Sequence, residues 1–166
     1  MKDGLSTGDI HLSITHNDPK INNVLFDSKT GDIRAVIDLD TVMPGSYLYD
    51  FGDALRGLFS GKNEDSKDLS KLVVRYDRFE AYVKGYLSEM KDVLNQKEIE
   101  LLPFSVFLMT IECGIRFLED YLRGNVYFRV DYDEHNLTRT RTQLKLAVDT
   151  YNSFDRLSAI VDKCIN

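Results

Sequence analysis

The residues of clearest chemical meaning lie near the start of this 166-residue chain, between His16 and Asn23. They fit the pattern H-x-D-x-K-x-x-N, in which Asp18 and Lys20 are the central charged residues, and the acidic motif I-D-L-D follows at residues 37–40. Phosphoryl transfer from a magnesium nucleotide needs a carboxylate at the acceptor hydroxyl, oxygen ligands for the metal and a cation near the moving group. The two motifs supply all of these residue types, and together they predict a phosphoryl-transfer site.

A short hairpin is predicted to position these motifs. Residues 24–26 and 33–39 are apolar strand patterns separated by the turn formers D-S-K-T-G-D. Antiparallel pairing would bring Asn23, at the start of the first strand, close to Asp38, near the end of the second. Two such oxygen ligands suit Mg²⁺, which takes few protein ligands and keeps waters or phosphate oxygens.

The rest of the chain is predicted to be helical. Pro44 and Gly45 indicate a turn, after which a helix begins near residue 48, with Asp50 or Asp53 near its start as a cap. Apolar spacing of three and four predicts three further helices, the second of them apolar nearly all round and therefore central and buried. These helices are predicted over residues 66–91, 97–124 and 134–165, with loops at residues 61–65 and 123–133.

The predicted fold class is therefore α+β and mainly α-helical, with one domain over residues 1–166. Its parts are an irregular lead-in at residues 1–13, the catalytic loop and metal-binding hairpin at 14–41, and a helical subdomain at 48–166. The apolar stripe of the last helix, which includes Leu144 and Tyr151, is expected to face the core.

Composition excludes several classes of partner. An apolar content of 43 % is enough for one core, while a net charge of −6 without a basic stripe argues against nucleic acid and anionic membranes. No apolar run is long enough to span a bilayer and no signal-peptide pattern opens the chain, so a cytoplasmic protein is expected. Cys113 and Cys164 lie within helical patterns, which favours reduced core thiols over a disulfide.

These motifs resemble the catalytic lobe shared by protein kinases and the aminoglycoside phosphotransferase and choline kinase group. The finer pattern is most similar to the N-acetylhexosamine 1-kinases. It comprises T-H-N-D-P-K-I-N-N-V-L-F-D at residues 15–27, V-I-D-L-D-T-V-M-P-G at 36–45, Y-D-F-G-D at 49–53 and R-F-L-E-D-Y-L-R-G at 116–124. The resemblance covers nearly the whole chain and implies a kinase-like C-terminal lobe.

The resemblance implies four roles within the catalytic loop and its support. Asp18 is expected to be the catalytic base that meets the acceptor hydroxyl. Lys20 is expected to face the γ-phosphate of ATP, and His16 to support the loop. Asp50 is expected to accept hydrogen bonds from backbone amides of the loop.

The resemblance also implies which residues contact ligands. Asn23 and Asp38 are expected to hold Mg²⁺, with Asp40 close enough to help. Arg116 and Tyr127 are expected to contact the sugar, by analogy with the N-acetylhexosamine kinases.

Several of these residues have simpler interpretations. Lys20 could instead be an ordinary solvated surface charge, as most lysines are. Arg116 could instead pair with Glu112 or Asp120, each four residues away on the same helix. Asp53 is predicted to be a cap.

The chain departs from the family pattern in one large respect. It has no glycine-rich phosphate loop and no strand lysine of the kind that a nucleotide-binding lobe carries. The expected partner is therefore a missing N-terminal lobe of the same enzyme, without which the chain should turn over little.

Three functions remain open from the sequence. The leading one is the ATP-dependent phosphorylation of the anomeric hydroxyl of N-acetylglucosamine or N-acetylgalactosamine. The second is a related kinase whose acceptor is an aminoglycoside, choline or homoserine. The third is a non-catalytic, kinase-like interaction module.

Overall fold

The computed structural model describes residues 2–60 and 64–165, and it is mainly helical with two small antiparallel sheets. This agrees with the predicted α+β class. The strands are β1 Ser13–Thr15, β2 Val24–Phe26, β3 Ile33–Val36 and β4 Met43–Gly45; the helices are α1 Lys2–Thr7, α2 Tyr47–Phe59, α3 Tyr76–Met90, α4 Gln96–Glu100, α5 Leu102–Leu122, α6 His135–Tyr151 and α7 Phe154–Ile165. Short 3₁₀ turns lie at Ile21–Asn23, Leu39–Thr41 and Leu69–Lys71.

The predicted hairpin is present as β2 and β3, with Val24 opposite Val36. Its turn is stabilised by Asp27, whose carboxylate accepts hydrogen bonds from the backbone of Lys29 and Thr30. The second strand is shorter than predicted, because Asp38 adopts a left-handed conformation with φ of 66° and a 3₁₀ turn follows it. The chain therefore turns away from the sheet directly after the hairpin.

The turn predicted at Pro44 and Gly45 is wrong, since both residues belong to β4, which pairs with β1. Proline has no backbone N–H group to donate. It is tolerated there because both strands of a two-stranded sheet are edge strands, on which an outward-facing nitrogen has no partner strand to bond. Gly45 is required by close packing: a Cβ at this position would lie 2.4 Å from the hydroxyl oxygen of Thr15. This small sheet joins the segment before the catalytic loop to the segment after the hairpin.

Helix α2 packs against α3 and α5, and it contacts β1 and the 3₁₀ turn at Ile21–Asn23. Its cap is Ser46, whose hydroxyl accepts from the backbone of Leu48, so neither predicted cap, Asp50 or Asp53, has that role. Gly52 allows the two helices to approach closely, because a Cβ there would lie 2.4 Å from the Ser105 carbonyl oxygen. The core around α2 is formed by fully buried side chains, among them Leu48, Phe51, Leu55, Phe59, Phe79 and Leu102.

The helix predicted from residue 66 begins only at Tyr76. Asp68 caps a separate 3₁₀ turn by accepting from the backbone of Ser70, and the extended residues after it deliver Arg75, whose N–H donates to the carbonyl of Phe59. Local side-chain hydrogen bonds of this kind compete with helix formation. Of the predicted loop at residues 61–65, positions 61–63 lie outside the described residues, and Glu64 and Asp65 form a turn.

Two of the predicted long helices are each divided. The first breaks at Leu101, between α4 and α5, and the second at Asn152, between α6 and α7. Residues 2–7 of the lead-in are helical rather than irregular: Gly4 leaves room for the buried side chain of Ile10, whose N–H donates to the Gly4 carbonyl.

The predicted inward stripe of α6 is wrong in part, because Leu144 and Tyr151 are exposed. The helix instead buries threonines such as Thr140 and Thr150, whose hydroxyls donate to backbone carbonyls four residues earlier. Helix α5, predicted to be buried nearly all round, leaves Ile115 and Leu122 exposed. It is nevertheless central, since it packs against α2, α6 and α7.

Both cysteines are free thiols; Cys113 is buried and Cys164 half-buried. Within the described residues, no helix combines the length and the apolar character that crossing a membrane requires.

Candidate active site

The catalytic loop lies between β1 and the 3₁₀ turn at Ile21–Asn23, and its backbone is held by Asp50 from the first turn of α2. The two oxygens of the Asp50 carboxylate accept hydrogen bonds from the backbone N–H groups of His16, at 2.7 Å, and Asn17, at 2.8 Å. Asn17 has a φ of 61°, a conformation that asparagine tolerates better than most residues. This is the contact that the resemblance implies for Asp50.

His16 joins the loop to the hairpin. Its Nε2 lies 3.0 Å from the carbonyl oxygen of Ile37, which can only accept, so Nε2 carries a proton and donates. Its Nδ1 in turn accepts from the backbone N–H of Asp18 at 3.3 Å. Both ring nitrogens are used by the neutral ring, which suits His16 to a supporting role.

Asp18 is held between two side chains. The Lys20 ammonium lies 2.5 Å from its Oδ2, and the Asn23 amide nitrogen donates to its backbone oxygen at 2.8 Å and to Oδ2 at 3.1 Å. The structure therefore pairs Lys20 with the predicted base, while the Lys20 side chain remains 46 % exposed. Asn23 is 5 % exposed, so it is a fixed part of this arrangement.

The predicted metal ligands fit Mg²⁺ in their donor chemistry. The hydrogen bonds of Asn23 to Asp18 all use its amide nitrogen, which leaves the amide oxygen for a cation. The carboxylates of Asp38 and Asp40 are exposed, and neither has a hydrogen-bond partner within the described residues. Over the same residues, no group of three or more His, Cys, Asp or Glu could hold a metal. A cation here would therefore take few protein oxygens and complete its shell from water and phosphate.

A cavity of about 660 Å³ extends from Asp18 towards α5 and the loop after it. Asp18, Lys20 and Asn17 line one end, and Arg116 and Tyr127 line the wall. The structure thus brings the predicted base and the two predicted acceptor-binding residues to a single cavity, whereas Asn23, Asp38 and Asp40 do not line it.

Arg116 forms no ion pair with Glu112 or Asp120 within the described part of the chain. Its guanidinium lies instead over the ring of Phe128, 5.7 Å from the centroid, in the range of a cation–π contact. The side chain is exposed on the cavity wall.

The residue that shapes the cavity wall, Asp120, was not identified from the sequence. It is 4 % exposed and lies near the end of α5. Its Oδ1 accepts from the backbone N–H groups of Val126 and Tyr127, and its Oδ2 accepts from Phe128 N–H and from the side-chain amide of Asn136. Burial opposes ionisation of Asp120, but these four donors outweigh it and lower the pKa of the carboxyl group.

A sequence signal for this arrangement exists. An aspartate on a largely apolar helix, followed by the turn residues Gly124 and Asn125, indicates a carboxylate that caps its own loop. Both turn residues have positive φ, 87° and 59° respectively. The partner Asn136 comes from α6, however, and only the fold brings it there.

An ion-pair cluster forms another part of the cavity wall. Arg56 donates to the carboxylate of Asp53 at 2.6 Å and to that of Glu64 at 2.7 Å. The Arg56 and Asp53 side chains are 17 % and 10 % exposed, so the pair is largely removed from water. Asp53, predicted to be a cap, therefore serves to hold Arg56.

Cys113 also lines the cavity, and burial raises the pKa of its thiol to about 12. Since the thiolate is the reactive form, we expect Cys113 in the folded protein to react with iodoacetamide near neutral pH at least about a hundredfold more slowly than in the urea-unfolded chain. A Cys164→Ser background isolates the signal, which mass spectrometry follows over time. Equal rates in the folded and unfolded protein would contradict the assignment of Cys113 as an inert buried thiol.

A comparison with known protein families bears on this geometry. Residues 5–86 match the phosphotransferase enzyme family (APH). The matched stretch contains the catalytic loop, the hairpin and Asp50, and it supports a relationship to the kinase-like superfamily of aminoglycoside phosphotransferases. Arg116, Asp120 and Tyr127 lie beyond the matched residues.

Proposed function

We propose that this chain is the catalytic lobe of an ATP-dependent kinase that phosphorylates the anomeric hydroxyl of an N-acetylhexosamine. The observation that carries the proposal is the position of Asp18, at the end of a cavity large enough for a monosaccharide and on a loop that belongs to the stretch matched by the phosphotransferase family. The sugar identity rests on the resemblance of residues 116–124 and of Tyr127 to the N-acetylhexosamine 1-kinases.

In this proposal Asp18 accepts a hydrogen bond from the acceptor hydroxyl and takes its proton as the oxygen attacks the γ-phosphorus of ATP, while the bond from that phosphorus to the β,γ-bridging oxygen breaks and ADP leaves. The backbone around Asp18 is fixed by Asp50 and His16, so the carboxylate is oriented before the substrate arrives. Lys20, now 2.5 Å from Asp18, is within reach of a phosphoryl group delivered to the same carboxylate.

Asn23 and Asp38, with Asp40 nearby, are proposed to hold Mg²⁺. When bound, the ion would neutralise charge on the nucleotide phosphates. The protein's own contribution at this point is the hairpin, in which the backbone N–H of Ile37 donates to the carbonyl of Asn23 and so fixes the two ligand-bearing ends beside each other.

The hairpin also offers a surface for a nucleotide-binding lobe. Apolar side chains of the hairpin and of the two segments beside it are unusually exposed: Ile33 is 66 % and Val36 50 % exposed on β3, Ile14 is 66 % exposed on β1, and Leu39 is 58 % exposed in the 3₁₀ turn after the hairpin. We propose that an N-terminal lobe of the same enzyme packs against this face, because exposed apolar surface of this extent indicates an interaction site.

The test is ATP consumption by the full-length protein that contains this chain. N-acetylglucosamine, N-acetylgalactosamine, choline and kanamycin would be compared as acceptors, and ³¹P NMR would locate the phosphate on the product. We expect turnover with the two N-acetylhexosamines and phosphate on the anomeric oxygen. Turnover with choline or kanamycin alone would replace the sugar assignment, and no turnover with any acceptor would contradict the proposal.

A further inference from the structure

The charges around the acceptor cavity are not balanced locally. Two cations on its wall are paired with neighbours: Lys20 with Asp18, and Arg56 with two carboxylates, Asp53 and Glu64, so that the Arg56 cluster carries one negative charge in excess. The remaining cations are three arginines on α5, on the loop after it and on α6: Arg116, Arg129 and Arg139. None of these three forms an ion pair within the residues that the structure describes, and the one further carboxylate on the wall is that of Glu112.

Two of these guanidinium groups are held in place by an aromatic pair. The rings of Phe117 and Phe128 contact each other with centroids 4.7 Å apart. Arg116 lies over Phe128 and Arg139 lies over Phe117, at 5.7 Å and 5.4 Å from the ring centroids. Two of the three positive charges therefore have ring contacts that favour one position at the cavity border, although the Arg116 side chain remains exposed.

Arg139 also connects this wall to the network around Asp120. Its Nη1 donates at 3.0 Å to the carbonyl oxygen of Arg129 and to the side-chain oxygen of Asn136, the residue that donates to Asp120. The same contacts that fix the loop thus bring Arg129 and Arg139 to one side of the cavity.

From this arrangement we infer that Arg116, Arg129 and Arg139 determine acceptor specificity by rejecting cationic acceptors, so the cavity takes a neutral, hydroxyl-rich molecule. A protonated amine on this side of the cavity would approach three guanidinium groups, which outnumber the two compensating negative charges, that of Glu112 and the excess one of the Arg56 cluster. Like charges brought this close disfavour binding, whereas a neutral hydroxyl or acetamido group can accept hydrogen bonds from guanidinium N–H groups. The inference rests on the proposed function in treating this cavity as the acceptor site.

The experiment measures binding to the folded chain by ligand-observed and ¹⁵N-detected NMR, and so requires neither ATP nor turnover. Glucose and glucosamine differ at one position, a hydroxyl against an ammonium, and 3,3-dimethylbutan-1-ol is a neutral match for choline. We expect each neutral compound to bind about tenfold more tightly than its cationic match at low salt, with shifts confined to the cavity. The difference should shrink at high salt, because screening weakens charge repulsion.

The double variant Arg116→Gln, Arg129→Gln should bring the affinity ratio within each pair close to one, and it leaves the hydrogen bonds made by the Arg139 side chain in place. Arg141→Gln is the matched control, since Arg141 is an exposed arginine of α6 that lines a different cavity. Its affinity ratios should equal those of the unsubstituted chain. Circular dichroism verifies that each variant is folded. If the double variant is unfolded, the single variant Arg129→Gln is measured in its place.

The outcomes separate this inference from the proposed function. If N-acetylhexosamines are phosphorylated but the cationic compounds bind as well as the neutral ones, the inference is wrong and the function stands. If the neutral preference depends on the arginines but no N-acetylhexosamine is phosphorylated, the inference stands and the function is wrong. Failure of all four compounds to bind in the cavity overturns the inference, because the cavity would then not be an acceptor site.

Discussion

Replacing Asp18 by asparagine is expected to lower kcat for phosphoryl transfer by at least about a hundredfold, the lower end of what a positioned general base contributes. The substitution keeps an oxygen that can accept from the Asn23 amide, so the loop should keep its shape. What it removes is the group that takes the proton, together with the negative charge beside Lys20. Steady-state kinetics on the full-length protein, with the best acceptor from the panel, measures the effect.

The expected pattern is a loss in kcat with little change in acceptor KM, since the proton transfer belongs to the transition state rather than to the bound ground state. Asp92→Asn is the control, an exposed aspartate between α3 and α4, and it should leave both constants unchanged. If Asp18→Asn retained more than about a tenth of the activity, Asp18 would not be the base.

The hairpin and the contact of Asp50 with the proposed catalytic loop could be predicted, whereas the catalytic role of that loop stays a prediction. The hairpin follows from two short apolar runs on either side of a turn, and the pattern from His16 to Asn23 determines which side chains share one loop. The ion pair between Lys20 and Asp18 could not be predicted, because it depends on the side-chain conformations of both residues rather than on their spacing.

Helix boundaries were predicted less well, for physical reasons visible at particular residues. Leu69 and Leu72 continue the apolar spacing of α3, but the capping side chain of Asp68 starts a separate turn and α3 begins at Tyr76. In α6, hydroxyl hydrogen bonds to the backbone allow threonines to occupy the core, while Leu144 remains exposed. Hydrophobic periodicity alone cannot distinguish these cases.

The acceptor side of the cavity could be predicted least, because its residues come from separate elements. Arg116 and Tyr127 were identified only through a family resemblance. Asp120 accepts one of its four hydrogen bonds from Asn136, which is 16 residues away, and Arg139 lines the cavity from α6. Such contacts exist only once α5 and α6 have packed together.

The second large effect is expected at Asp120. Asp120→Asn replaces one carboxylate oxygen by an NH₂ group, and each oxygen currently accepts two hydrogen bonds. The new NH₂ group would face donors, so the part-buried backbone N–H groups of either Val126 and Tyr127 or of Phe128 would lose their acceptor. We expect the loop to leave its position and kcat/KM for the acceptor to fall by about a hundredfold, as displacements of substrate-positioning groups do.

The lowered pKa of Asp120 predicts how the stability of this loop depends on pH. Its pKa in the folded state lies below the ordinary value of 3.8, so its contribution to stability is fully present above that value and is lost as the pH falls through the folded-state pKa. In ¹⁵N NMR spectra the amide signals of Val126, Tyr127 and Phe128 should remain constant from neutral pH down to the ordinary carboxyl range. They should shift together only in stronger acid.

The control for both experiments is the neighbouring carboxylate. Glu119→Gln removes a charge one residue away on α5, but Glu119 is exposed and pairs only with Arg123 among the described residues, at 3.4 Å. It should leave kcat/KM and the three amide signals unchanged. If Asp120→Asn behaved like Glu119→Gln, the loop would be held by packing of Phe128 on Phe117 rather than by the carboxylate. Arg116 and Arg139 would then owe their positions to the aromatic pair and to the hydrogen bonds that Arg139 donates to the Arg129 carbonyl and to Asn136.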